Sequence, residues 1–179
     1  METNCLEKVI TQEYTIGQAK PEDVVEAFYI IKIVLADFIQ KSIVHPDLFT
    51  NLYPNMLREA QNESLYILKN HDISLGLITI SKEEPDEFKD VKWESNHNSS
   101  LYISRLFVLP KWRNKGVGSA LIAYAEELAR LKGFSSVKLD VTSSCNEGIL
   151  LLMKHKYRFA GNIFMNTQKA PINCYEKKI

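Results

Sequence analysis

Arg113-Asn114-Lys115-Gly116-Val117-Gly118 decides the reading of this chain. Before it lies an apolar run from Leu101 to Leu109, closed by Pro110. After it Val117, Ala120, Leu121, Tyr124, Leu128 and Leu131 recur at helical spacing and stop at Gly133. The order is strand, glycine turn, helix, with two basic residues set into the turn. A helix N-terminus carries backbone N–H groups without intrahelical partners and a partial positive charge, so it draws phosphate. Gly116 and Gly118 let an anion approach the main chain where a Cβ would collide. Arg113 and Lys115 add full charges beside those amides. Arg113, Asn114, Lys115, Gly116, Val117, Gly118 and Ser119 together read as a pyrophosphate cradle.

Two other phosphate cradles are excluded by residue. A Walker loop ends in Gly-Lys-Ser/Thr, and here Ser119 follows Gly118 directly. The dinucleotide fingerprint needs G-x-G-x-x-G, and Asn114 and Leu121 stand where the outer glycines would be. What remains is Arg-x-x-Gly-x-Gly after a strand ending Val-Leu-Pro, within the longer string Ile103 to Gly118. This resembles the acetyl-coenzyme A motif of the GNAT N-acetyltransferase superfamily. The likeness is strong from Leu101 to about Gly161. Tyr53-Pro54, Trp93 and Cys174-Tyr175-Glu176-Lys177 are similar to a branch of that superfamily with no assigned substrate.

The resemblance implies an α/β (α+β) fold with a mixed, mostly antiparallel central sheet, flanking helices and a bulged strand before the cofactor helix. It implies acetyl-coenzyme A as cosubstrate and direct attack on its thioester by a primary amine, on a small molecule or on a protein. It implies that Leu106, Phe107 and Val108 hold the thioester and pantetheine through their backbone, and that Asn146 is a further cofactor contact. The alternative is a module of the same fold that binds coenzyme A or an acyl-coenzyme A without catalysis.

Composition agrees with a small enzyme. A chain of 179 residues reads as one domain, 1–179, able to bury a substantial core. With 22 basic and 22 acidic residues the formal net charge is zero, which argues for neither nucleic acid nor a membrane surface as partner. Apolar runs such as Ile149 to Met153 are far too short to span a bilayer. The N-terminus, Met1 to Cys5, has no basic region followed by an apolar stretch, and a cytoplasmic location is expected. Cys5, Cys145 and Cys174 are widely spaced, with no C-x-x-C pair; they suit a reducing compartment and offer no metal site. A homodimer is left open.

Elsewhere the pattern alternates between helix and strand. Apolar residues at Val24, Phe28, Ile31, Leu35 and Phe38 predict a helix over Pro21–Lys41, and a shorter one is expected from Asn55 to Asn62. Leu65–Leu68 and Ile73–Ile80 read as strands joined at Asn70-His71-Asp72. Lys82–Ser100 reads as a long polar loop. Val137, Leu139 and Val141 alternate with Lys138, Asp140 and Thr142, which predicts a half-buried strand. A helix from Glu147 to His155 and strands over Phe159–Asn166 and Ile172–Glu176 close the chain.

The strand before the cradle is out of phase. Apolar residues fall at Leu101 and Ile103, then at Leu106 and Val108, and Arg105 breaks the alternation by one residue. Either the strand is continuous and buried on both faces, or a bulge absorbs the slip and frees backbone amides. The resemblance favours the bulge.

One catalytic group is missing. The superfamily often carries a tyrosine, after an Asn-x-x-Ala, that protonates the departing thiolate. Leu152 or Met153 stands there, according to whether the alignment is anchored on Lys156-Tyr157 or on Asn146. Ser143, Ser144, Cys145 or water are the substitutes in reach. An ammonium must also lose a proton before it can attack. Glu94 and Tyr102 are the candidate bases, with the acidic run Glu83, Glu84, Asp86, Glu87 and Asp90 beside them. His45, His71, His97 and His155 show no partner spacing, and His155 reads as a surface residue.

Overall fold

The computed structural model describes residues 14–44, 51–164 and 170–179. A seven-stranded sheet runs in the order β1-β2-β3-β4-β5-β7-β6. The strands are β1 Thr15–Gln18, β2 Leu65–Asn70, β3 Ile73–Ser81, β4 Ser100–Val108, β5 Ser136–Thr142, β6 Arg158–Ile163 and β7 Ile172–Lys178. All neighbours are antiparallel except β4 and β5. A parallel step needs a crossover, and helix α3 (Val117–Leu131) supplies it. The other α-helices of the described residues are α1 (Val24–Gln40), α2 (Leu52–Gln61) and α4 (Asn146–Lys154). This is the mixed, mostly antiparallel sheet with flanking helices that the sequence implied.

The two faces of the sheet are covered differently. On one, α3 buries Leu121, Ile122, Ala125 and Leu128 against Leu68, Ile78, Ile103 and Val137, with Leu152 of α4 in the same cluster. Each such side chain contributes about 1.5–3 kcal/mol. The N-cap, Gly116, makes no side-chain capping bond, so packing rather than capping fixes α3. On the other face α1 and α2 cover β2, β3 and the end of β4, through Ile31, Val34 and Met56 against Leu65, Ile67 and Leu77, with Phe107 packed alongside. Past β4 the segment between β3 and β4 takes over, setting Phe88 and Val91 on Tyr102 and Cys174, with Trp93 packed alongside.

That cover corrects the expectation of a half-buried β5. Lys138 is 0% exposed. Its ammonium lies 4.9 Å from the Trp93 ring centroid and 5.5 Å from that of Tyr102, and donates to the Ser95 carbonyl at 2.9 Å. Glu176, its cross-strand neighbour, accepts from the Glu94 and Ser95 amides at 2.9 Å each. Alternation alone does not report that a loop folds over the polar face.

Other boundaries differ modestly from the expected ones. The 3₁₀ turn Pro21–Asp23 precedes α1, with the Asp23 carboxylate accepting from the Lys20 amide at 2.9 Å. Helix α2 starts at Leu52 rather than Asn55. Strand β1 has no counterpart among the expected elements, because Ile16 is its lone buried residue. Cys5, His45 and the predicted strand residues 165–166 lie outside the described residues. His155 is not free at the surface: its Nε2 is buried without a hydrogen-bond partner. No helix of the described residues is long and apolar enough to cross a membrane.

Strand β4 carries the expected bulge. Thr79 faces Arg105 whereas Ile80 faces Ile103, so Ser104 is the extra residue. The slip keeps Ile103, Leu106 and Val108 on the α3 face and turns Arg105 and Phe107 toward α1 and α2.

Candidate active site

Strands β4 and β5 pair only from Ser100–Ser136 to Ile103–Leu139. Beyond that rung β4 runs on to Val108 and β5 to Thr142 without pairing to each other. Two edges thus face one another in the middle of the sheet, with backbone N–H and C=O groups left out of a ladder. Buried groups of that kind call for a partner. The opening is a cleft of about 910 Å³, lined by both edges, the cradle turn, α4 and the ends of α1 and α2.

The α3 half of the cleft is made largely of main chain. Asn114 and Gly116 have positive φ, 58° and 87°. At Gly116 a side chain would be strained, by roughly 1–2 kcal/mol. The first backbone bond of α3 runs from the Ala120 amide to the Gly116 carbonyl at 2.9 Å, so the amides of Val117, Gly118 and Ser119 face out of the N-terminus. A Cβ on Gly118 would stand 3.0 Å from Leu151 of α4, so glycine there sets how closely the turn approaches that helix. Leu106, Phe107 and Val108 form the β4 edge, and Asn114, Gly116, Gly118 and Ser119 line the cleft with them. Val117 presents only backbone, its side chain being in the core. The Lys115 ammonium sits 4.8 Å from the Trp112 ring centroid, and its carbonyl accepts from the Tyr14 hydroxyl at 3.0 Å. Asn146 is exposed at the start of α4, outside the lining residues.

Arg113 joins this half to the other. Its Nη1 reaches Asp37 of α1 at 2.5 Å and Glu147 of α4 at 3.4 Å, and its guanidinium carbon lies 5.1 Å from the Phe38 ring centroid. Burial alone would raise the Asp37 carboxyl; Arg113 and Lys41 outweigh it and hold the group below the ordinary carboxylate range. Arg113 Nη2 is buried with no partner, a donor left for a ligand. Unpaired strand edges, outward amides, two glycines without Cβ and this spare guanidinium donor fit the pyrophosphate and amide groups of coenzyme A.

The α1/α2 half is made of side chains. Phe38, Leu52, Phe88 and Phe107 form apolar walls, and Arg105, Glu87 and Asp140 are the charged groups. Arg105 pairs with Glu59 of α2, whose other oxygen accepts from the Thr79 hydroxyl at 3.1 Å. Asp140 lies one residue past the last β4–β5 rung. Burial pushes its carboxyl up to about 7, the Glu87 charge adding to the effect. A base whose pKa lies near working pH combines the right protonation state with useful basicity.

The structure does not bring the two sequence-derived bases to this cleft. Glu94 is paired with Arg158 at 3.2 Å and Lys178 at 3.1 Å, beside β6 and β7. Tyr102 is 1% exposed, its hydroxyl without a partner and its pKa raised by burial and the Glu84 charge. Of the acidic run, Glu87 is the member that lines the cleft. Of the two residues that the resemblance places at the usual tyrosine position, Leu152 is buried in the α3-face core and Met153 is exposed. Sequence reasoning does not single out Asp140, because its alternation with Leu139 and Val141 marks only a strand. A carboxylate on the strand following the cofactor helix was the available signal.

Residues 30–157 match the model of the acetyltransferase (GNAT) family. The fold is similar to that of a GNAT-family acetyltransferase from Listeria monocytogenes, at TM-score 0.74 and 15% identity over 93% of this chain and 95% of that one. It is also similar to the PaiA N-acetyltransferase of Thermoplasma acidophilum in complex with coenzyme A, at TM-score 0.68 and 15% identity over 93% and 99%. A third likeness is to YncA of Salmonella typhimurium with its cofactor acetyl-coenzyme A, at TM-score 0.68 and 13% identity over 93% and 94%. At such identities these likenesses show the fold alone. Among curated proteins none matches.

Proposed function

Because the chain belongs to the GNAT family of acetyltransferases, we propose that it transfers the acetyl group of acetyl-coenzyme A to a primary amine by direct attack. The observation that carries this reading is the gap beyond Ile103 and Leu139, with the cradle turn on one side and Asp140 on the other. Bound acetyl-coenzyme A supplies the electrophilic thioester carbonyl. The edge of Leu106 to Val108 offers backbone groups to its extended arm, and the turn from Arg113 to Ser119 receives its phosphates. Asp140 acts on the acceptor. An incoming ammonium sheds one proton before attack and a second as the amide forms; the Asp140 carboxylate takes up the first. A C–N bond forms, the C–S bond breaks, and the departing thiolate recovers one of the two protons.

No tyrosine helps that departure. General acid assistance is worth roughly 10²–10⁴-fold for a poor leaving group, but a thiol of pKa about 8.5 leaves tolerably as the thiolate. Leu152 or Met153 in place of that tyrosine motivates the second reading, a module that binds coenzyme A without turnover.

Thiol release from acetyl-coenzyme A across an amine panel tests both. Amine-dependent release, reduced by Arg113→Ala and Asp140→Asn, supports transfer. Saturable coenzyme A binding with no release under any amine supports the binding module. Absence of both ends the proposal.

A further inference from the structure

Resting on the acetyl-transfer reading of this cleft, we propose that the acceptor is a primary amine carried on an uncharged apolar body. A polyamine, an amino acid and an acidic peptide are disfavoured by the same walls. Phe38 comes from α1, Leu52 from α2, Phe88 from the segment after β3 and Phe107 from β4, so four separate parts of the chain converge with apolar groups. Phe38 and Phe107 already stand edge to face, ring centroids 6.2 Å apart and planes at 62°. An aromatic or alkyl group between such walls gains by leaving water and by edge contact with the rings.

Charge in this half selects in the same direction. Asp140 and Glu87 both line this half, and the Glu87 charge adds to burial in raising the Asp140 carboxyl, so an ammonium meets negative charge there. Arg105 is engaged by Glu59, and Arg113 by Asp37 and Glu147 through Nη1, its Nη2 alone being without a partner. Lys154 lines the cleft from α4, alongside Leu151 and Leu152 of the α3-face core. Among the described residues the cations that line the cleft are thus Arg105 and Arg113, each paired with a carboxylate, and Lys154 on the α4 side. A substrate carboxylate or phosphate there would be desolvated beside two carboxylates. A second ammonium would be desolvated among phenyl rings.

The test compares 2-phenylethylamine, phenylalanine and spermidine as acceptors, following thiol release from acetyl-coenzyme A. Phenylalanine adds a carboxylate to the same body; spermidine adds charges and removes the ring. We expect kcat/KM for 2-phenylethylamine to exceed each of the others by about tenfold or more, about 1.4 kcal/mol in transition-state binding. Equal or reversed preference overturns the assignment. Calorimetric binding of 2-phenylethylamine to the coenzyme A-loaded protein separates the two claims. Saturable binding without turnover sinks acetyl transfer and leaves the apolar-amine site standing; turnover of spermidine or phenylalanine alone does the reverse. Replacing the exposed Glu87 by arginine, Glu87→Arg, should narrow the ratio between 2-phenylethylamine and phenylalanine by about tenfold. An unchanged ratio counts against the site.

Discussion

The α3 half of the cleft, proposed to hold the cofactor, takes most of its groups from one continuous stretch, Leu106 to Ser119, with α4 beside it, and presents mostly backbone. The acceptor half takes its groups from α1, α2, the segment before β4, β4 itself and β5, and presents mostly side chains. A backbone site depends on conformation, so it is marked by glycines and a helix start; a side-chain site depends on which distant segments meet. The first tolerates change in what its residues are, provided the φ angles survive. The second can be retuned one residue at a time without disturbing the first.

Asp140→Asn is the sharpest test of that division. We expect kcat to fall by about 10²–10⁴, and the rise of kcat/KM with pH through about 7, where the Asp140 carboxyl ionises, to disappear. Acetyl-coenzyme A affinity, read by calorimetry, should not change; a parallel loss would show that the halves are not separable. Gly116→Val acts on the other side. At φ 87° a β-branched residue is strained and its side chain enters the anion's path, so the acetyl-coenzyme A Kd should rise about 10–100-fold. Normal affinity in a folded variant would mean that the turn is not the phosphate site.

Arg113→Ala touches both halves and should weaken cofactor binding about tenfold, as for one charge-assisted hydrogen bond. It also leaves Asp37 with Lys41 as its one remaining partner among the described residues. A carboxyl held below its ordinary value stabilises the fold above its unfolded pKa, and that contribution is lost as pH falls through the lower folded value. Denaturant midpoints should therefore separate wild type from Arg113→Ala at pH 7 and converge in acid. The smallest effect is on stability at Asp140. Its folded pKa is raised, so ionisation opposes folding increasingly as pH climbs from about 4 to 7. Asp140→Asn should raise the thermal midpoint, and by more at pH 8 than at pH 5; the reverse order would refute the raised value.

How much of this is legible in the sequence follows the same line. The cradle, the bulge and the helix behind them can be read because each leaves a local mark: a glycine spacing, a phase slip near Arg105, a 3.6-residue period ending at Gly133. The bulge falls on Ser104, one residue before the slip, since hydrophobic phase does not say which residue is extra. Closeness in sequence to β4 singles out Glu94 and Tyr102, but the chain carries Glu94 to the β6–β7 edge and buries Tyr102 under Phe88. Asp140 and Phe38 lie 102 positions apart in number, and no local pattern announces that they share a wall. The full burial of Lys138 is equally silent, because it depends on a loop with little pattern of its own.

The shortness of the β4–β5 ladder has a practical consequence. Most sheets keep unpaired edges at the rim, where they invite other chains to add on. This one keeps a pair of them at its centre, on two arms that face one another across the cleft. Breathing of those arms would turn an interior gap into an exposed template for self-association. Storage and crystallisation should therefore go better with coenzyme A in the buffer, even when catalysis is not the object of study.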